Sequence, residues 1–161
     1  MKIEHAIHQL FIEQKWTLAI AESCTGGAIA AALTRLPGAS EYFLGGVVAY
    51  SNALKETLLQ VPSSTLLKQG AVSEEAVQAM VRGMIAVSSA DFSLSISGVA
   101  GPMGGTVQKP VGTVWIAVMR KGGLPKSQHF AFKGSREEII TASVEGALLF
   151  LYEYITGFKK S

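Results

Sequence analysis

The chain is poor in cysteine, poor in charge and without any grouping of metal ligands, and each shortage removes a class of protein. One cysteine, Cys24, among 161 residues leaves no partner for an intrachain disulfide, so a reducing compartment, the cytoplasm, is expected. Only 16% of the residues are charged, against roughly 25% in soluble domains generally. That shortage points to surface covered by a second copy, a homo-oligomer with a dimer favoured. The 14 basic and 12 acidic side chains sum to +2 and are dispersed, with one small basic pair at Lys159-Lys160. Without a basic stripe, nucleic acid is not an expected partner. His, Cys, Asp and Glu nowhere take metal-ligand spacing, so neither a catalytic metal nor a cofactor is expected. No apolar run approaches the roughly 20 residues that cross a bilayer. The N-terminus, with Glu4, His5 and His8 among its apolar residues, lacks the pattern of an export signal. No membrane association is expected. Repeats, low-complexity tracts and linkers are also missing, so one domain over residues 1–161 is the expectation.

What is present alternates between helical and extended patterns. Ile3, Ala6, Ile7, Leu10 and Phe11 recur at helical spacing and predict a helix over 2–14. A strand at 16–21, a nearly all-apolar helix at 26–35 ended by Leu36-Pro37-Gly38, and a strand at 43–50 weakened by Gly45 and Gly46 follow. Helices are predicted at 53–60, 63–68 and 74–88, the last opened by Ser73. A third strand at 92–97 runs into the Gly- and Pro-rich stretch 98–112, and two strands, 113–119 and 127–132, form a hairpin around Gly122-Gly123. A final helix at 135–154 should bury Ile139, Ile140, Val144, Ala147, Leu148 and Leu151. The order predicts an α/β fold, a three-layer α/β/α sandwich with a mixed, mostly parallel sheet and a late antiparallel hairpin.

The chemistry concentrates at Ala21-Glu22-Ser23-Cys24-Thr25-Gly26-Gly27, where a strand should turn sharply into a helix. The amides of Thr25, Gly26 and Gly27 would then be unpaired at a helix start and suited to an oxyanion. Ser23 is one candidate nucleophile and Cys24 its rival; Ser23 has a structural alternative as helix cap and Cys24 as a small buried thiol. A serine needs a base. His5, His8 and His129 lie on a helix or a strand, not in a site-like loop, which leaves Lys55, one helical turn beyond the second strand. An amine acts as base once burial disfavours its charged form. Tyr50 can relay a proton or hold that amine. Gly98–Gly105 matches neither the dinucleotide nor the P-loop pattern but can bring amides to a phosphate, and Lys109 and Arg136 are candidate phosphate partners. Each of these also has a plain reading as a flexible connection or a solvated charge.

Together the blocks Ala21–Gly27, Tyr50-Ser51-Asn52 with Lys55, Gly70–Glu74, Ser97–Pro102 with Gly104-Gly105, and Lys109–Val114 resemble the CinA C-terminal-domain family, which includes the nicotinamide-nucleotide amidases. The resemblance implies hydrolysis of the carboxamide of nicotinamide mononucleotide to nicotinate mononucleotide and ammonia, in pyridine-nucleotide salvage. It implies Ser23 as nucleophile, Lys55 as base and Tyr50 as the assisting tyrosine. Thr25, Gly26, Gly27, Asn52, Gly101, Gly104, Gly105, Lys109, Thr113 and Arg136 are the expected oxyanion and substrate contacts. Two departures from the family pattern stand out. Met103 occupies the place of an Asp or Gly, and Ile140 and Thr141 stand where a second arginine follows the one matching Arg136. Both keep open an alternative, a catalytically weak nucleotide-binding homologue. Many members also carry an N-terminal domain resembling molybdopterin-binding proteins.

Overall fold

The computed structural model describes residues 1–159; Lys160, half of the expected basic pair, and Ser161 lie outside the described residues. The elements run α1 (Ile3–Gln14), β1 (Leu18–Glu22), α2 (Ala28–Thr34), β2 (Phe43–Val48), α3 (Asn52–Leu59), α4 (Ser63–Gln69), α5 (Glu74–Ser88), β3 (Phe92–Gly98), β4 (Thr113–Arg120), β5 (Lys126–Ala131) and α6 (Arg136–Thr156). A short 3₁₀ turn at Ala39–Glu41, not foreseen in the sequence, leads into β2.

The sheet order is β2-β1-β3-β4-β5. Strands β2, β1 and β3 pair in parallel, and the β3/β4 and β4/β5 pairs are antiparallel. Parallel and antiparallel pairs are therefore equal in number, although only β4 runs against the rest. The chain leaves β1 for β2 on one side and returns to β3 on the other. The carboxyl ends of β1 and β3 thus flank a topological switch point, the place where open α/β sheets bind ligands.

Strand side chains alternate between two faces, and the alternation sorts the core into two layers. Leu18 and Ile20 of β1, Phe92, Leu94 and Ile96 of β3, and Val114, Ile116 and Val118 of β4 pack with α1, α2 and α6. The opposite face carries small residues, Ala19, Ala21 and Ala117, beneath α3, α4 and α5. Small side chains let α5 sit close to the sheet, and Ser95 Oγ donates to the Val77 carbonyl of α5 at 2.6 Å. Helix α5 also meets α3 closely: a Cβ at Gly83 would stand 1.9 Å from the Leu59 carbonyl oxygen, so only glycine fits there.

Helix α6 begins with a capping box in which Ser135 and Glu138 satisfy each other's backbone amides. At 21 residues it is long and apolar enough to cross a membrane, which corrects the expectation that no such stretch exists. Here it is a core helix, with Ile139, Ala147, Leu148, Phe150, Leu151 and Ile155 buried. Ile140 and Val144, expected inside, are only partly covered.

Candidate active site

The alternation that sorts the core also separates two neighbouring residues at the end of β1. Glu22 turns toward α2 and Ser23 toward α3. The Glu22 carboxylate, 2% exposed, accepts the Thr25 hydroxyl at 2.5 Å and the Ile29 amide at 3.0 Å through Oε1, and the Ala30 amide at 3.0 Å through Oε2. It caps α2 from the preceding strand and places a negative charge at the positive end of the helix. The Gly26 amide donates to the Ser23 carbonyl at 3.0 Å. Both findings correct the sequence expectation: the start of α2 already holds an anion, and the Gly26 amide is occupied. Gly27 is the N-cap, at φ 101°, so Ser23 does not cap the helix and its hydroxyl is left for other use.

Lys55 comes to that hydroxyl from α3. Ser51 caps the helix, accepting the Leu54 amide at 3.1 Å, and Lys55 shares the sheet-facing side with Leu59, one turn on. The lysine is 1% exposed. Its Nζ lies 2.9 Å from Ser23 Oγ, 2.8 Å from the Ala49 carbonyl oxygen and 3.2 Å from that of Tyr50. Burial lowers the amine's pKa from its ordinary 10.5. The Cys24 thiolate would oppose this, but burial pushes the Cys24 thiol up to about 12. The thiol is therefore neutral near pH 7 and the opposing charge is absent.

These groups face a pocket of about 300 Å³, within the ordinary range for small-molecule sites, roughly 300–1,000 Å³. Ser23, Cys24, Tyr50, Asn52 and Lys55 form one side, and Ser97, Gly98, Val99, Ala100, Gly101, Met103 and Gly104 the other. Ala71, Val72 and Arg136 complete the wall. Arg136, the first residue of α6, bridges the rim, with Nη1 donating to the Gly101 carbonyl at 2.7 Å and Nη2 to the Tyr50 hydroxyl at 2.9 Å. Tyr50 thus meets Lys55 through its carbonyl, while its side chain, 57% exposed, is turned to Arg136.

A family model of the CinA C-terminal domain matches residues 1–155. The chain belongs to the CinA C-terminal-domain family. CinA-like proteins of Thermotoga maritima and Desulfotalea psychrophila are each 48% identical to it, over 97% and 92% of this chain but 38% and 36% of their own lengths. The chain therefore spans little more than a third of those relatives. A crystal structure of competence damage-inducible protein A (ComA) from Klebsiella pneumoniae superposes with a TM-score of 0.93 at 36% identity, covering 98% of this chain and 97% of that one. The competence/damage inducible protein CihA from Agrobacterium tumefaciens gives 0.88 at 37% identity, covering 92% and 93%.

Within this CinA domain, seven of the expected site residues line the pocket: Ser23, Tyr50, Asn52, Lys55, Gly101, Gly104 and Arg136. Six do not, and their partners explain why. Thr25 is tied to Glu22, Gly26 and Gly27 build the turn, and Thr113 Oγ1 donates to the Pro110 carbonyl at 2.6 Å. Gly105 lies against Val111, whose amide nitrogen is 2.8 Å from where a Cβ would stand. Lys109 donates to the Gln69 carbonyl at the end of α4, so it fastens the glycine-rich loop rather than facing the pocket. Ile140 and Thr141 line a separate groove with Glu4 and Arg35. Their departure from the family pattern therefore leaves the pocket wall untouched. Met103 stands at the mouth, 85% exposed.

Of the rival groups, Cys24 lines the pocket but stays protonated, and His8 packs edge-on to Tyr42 with centroids 5.5 Å apart. His129 lies against Trp115 on the hairpin. Sequence reasoning passed over Ser97, which lines the pocket while 1% exposed. Its signal was present in the alternation Ser93, Ser95, Ser97 along β3, three small polar residues on the α5 face.

Proposed function

We propose that this domain is a nicotinamide mononucleotide deamidase, hydrolysing the nucleotide's carboxamide to nicotinate mononucleotide and ammonia without metal or cofactor, in the pyridine-nucleotide salvage of the cytoplasm. The observation that supports it best is the Lys55 amine, removed from water and 2.9 Å from Ser23 Oγ. A neutral amine has two N–H donors and one lone pair. The Ala49 and Tyr50 carbonyls, at 2.8 and 3.2 Å, can only accept, so they take both donors and leave the lone pair for the Ser23 O–H. Once protonated, the ammonium has three donors for the same three oxygens. Both protonation states are satisfied without movement, as proton exchange requires.

In the first step Ser23 Oγ attacks the amide carbon and its proton passes to Lys55. The tetrahedral intermediate collapses, the C–N bond breaks, and Lys55 gives its proton to the departing nitrogen, which leaves as ammonia. Water then attacks the acyl-enzyme with Lys55 again as base, and nicotinate mononucleotide is released. Arg136 at the rim has guanidinium donors beyond the two already placed and suits the phosphate. A homo-oligomer, with a dimer favoured, belongs to the same reading; light scattering at the 17.0 kDa monomer mass would remove that part.

The test is ammonia release from nicotinamide mononucleotide, nicotinamide, nicotinamide riboside and the dinucleotide. The mononucleotide should be preferred, and Ser23→Ala and Lys55→Ala should each abolish turnover while remaining folded. Full activity in either variant would exclude the mechanism. Tight calorimetric binding without turnover would favour the nucleotide-binding alternative.

A further inference from the structure

An acyl-transfer site needs hydrogen-bond donors at the oxygen that gains charge when the carbonyl is attacked. The start of α2 is largely taken up, since Glu22 holds the Ile29 and Ala30 amides and the Gly26 amide is bonded to the Ser23 carbonyl, and Thr25, Gly26 and Gly27 do not line the pocket. The pocket wall offers a side-chain donor as well. Arg136 stands at the rim, where its remaining donors suit the phosphate, and Asn52 is solvent-exposed.

Ser97 has the required properties. Strands β1 and β3 are parallel neighbours whose register ends with Ala21 opposite Ser95; continued two residues past that pair it brings Ser97 toward Ser23, just beyond β1, and both serines line the pocket. Both lie on the face that Lys55 covers, because Ser97 shares its side of β3 with Ser95, bonded to α5. Ser97 is 1% exposed and lines the pocket, and its hydroxyl makes no hydrogen bond among the described residues. The hydroxyl is thus free to donate to an acceptor placed in the pocket.

We propose that Ser97 is a further catalytic residue whose hydroxyl donates to the carboxamide oxygen as Ser23 attacks, stabilising the tetrahedral oxyanion. This rests on the amidase reading of the site. The contact strengthens as charge develops on that oxygen, so it acts on turnover more than on ground-state binding.

The experiment compares wild type, Ser97→Ala and Ser97→Thr in two assays. In ammonia release from nicotinamide mononucleotide, Ser97→Ala should lower kcat by about 10²–10³-fold, the loss that follows removal of one oxyanion donor. KM should stay within about threefold, since the lost contact is made chiefly in the transition state. Ser97→Thr, which keeps a hydroxyl, should recover most of the rate. The second assay needs no knowledge of the substrate: a fluorophosphonate is attacked by Ser23 Oγ, forming the O–P bond, breaking P–F, releasing fluoride and passing the proton to Lys55. Intact mass spectrometry then follows the labelling rate, and Ser97→Ala should slow it by a similar factor while thermal melting shows both variants folded. Wild-type rates for Ser97→Ala in both assays, or an effect confined to KM, would overturn the proposal. Labelling of wild type at Ser23 without ammonia release would reject the substrate reading alone, and the labelling comparison would still decide Ser97. Absence of labelling in wild type would reject the Ser23–Lys55 pair and this inference with it.

Discussion

Replacing Glu22 by glutamine exchanges one oxygen for an NH₂ group at nearly constant volume, and it measures how firmly the Ser23 turn is held by charge. The carboxylate takes three donors, the Thr25 hydroxyl at 2.5 Å and the Ile29 and Ala30 amides at 3.0 Å each. Glutamine offers one acceptor oxygen. If that oxygen keeps Thr25 and Ile29, its NH₂ faces the Ala30 amide, donor against donor, and turning the group over only moves the clash. Losing one bond to a charged acceptor costs about 1.5–3 kcal/mol, and the two bonds that survive fall to neutral strength, about 0.5–1.5 kcal/mol each. Loss of the negative charge at the helix start removes about 0.3–1 kcal/mol more. These terms overlap, since the amides at the helix start are the source of the dipole's field, and we expect about 3 kcal/mol in total.

Urea unfolding followed by circular dichroism at neutral pH reads this directly. In thermal melting, 1 kcal/mol corresponds to about 2–4 °C for a chain of this size, so the midpoint should fall by about 6–12 °C. Thr25→Val provides the internal comparison, because it removes one donor and leaves the carboxylate; it should lose about half as much, near 1.5–2 kcal/mol. A Glu22→Gln protein within about 0.5 kcal/mol of wild type, the ordinary span of surface substitutions, would show that the carboxylate does not organise the turn. So would a Thr25→Val protein less stable than Glu22→Gln.

Four further outcomes follow from the same geometry. Because burial lowers the Lys55 pKa from 10.5 and the base acts when neutral, kcat/KM should rise with pH through that depressed value; a profile flat on both sides of neutrality would exclude Lys55 as base. The same shift means the unfolded chain binds the proton more readily than the folded one, so the stability of wild type relative to Lys55→Met should grow with pH up to about 10.5 and then level off, and a gap independent of pH would contradict the burial argument. Arg136→Met should weaken nicotinamide mononucleotide by about 10- to 150-fold, the equivalent of one charge-assisted bond of about 1.5–3 kcal/mol, while hardly affecting the riboside; equal loss on both would assign Arg136 to the loop rather than to phosphate. Iodoacetamide at pH 8 should modify Cys24 slowly, since a thiol at about 12 is ionised in about one molecule in ten thousand, and rapid labelling with loss of activity would reverse the choice of nucleophile.

Most of the fold was legible because its signals are local. Helical spacing at Ile3–Phe11, the Ser73 and Ser135 caps and the Gly122-Gly123 turn fixed the succession of elements to within about two residues. The equal division of parallel and antiparallel pairs was not legible, since strand order follows from long-range packing. The Ser23–Lys55 approach was open to sequence reasoning because each group sits just past the end of a parallel strand. The fate of the glycine-rich turn was hidden for a reason of the opposite kind. Gly26 and Gly27 look like an anion cradle, and the anion turned out to be the chain's own Glu22. Whether a helix start is vacant depends on where the preceding carboxylate points, and period-two alternation sends Glu22 to α2 only if Ser23 goes to α3. Lys109 was misplaced likewise: its carbonyl partner at Gln69 lies 40 positions away, beyond any spacing argument.

The strand order explains why the residues of the candidate site can be both buried and accurately placed. Ser23 follows β1, Ser97 stands one residue before the end of β3, and Lys55 sits on the helix after β2, so three separate segments converge on one edge of a single sheet. Each is anchored by bonds outside the pocket: the turn by Glu22 on one side of the sheet, β3 by Ser95 on α5, and α3 by its Ser51 cap. Side chains that leave the sheet at a switch point point into a crevice that neither crossover helix fills, which leaves room for a substrate without loosening the core. Deep burial of an amine is otherwise unfavourable. Here two fixed carbonyls and a hydroxyl can receive it in either protonation state, so the fold buries the Lys55 amine without leaving it an unpaired charge.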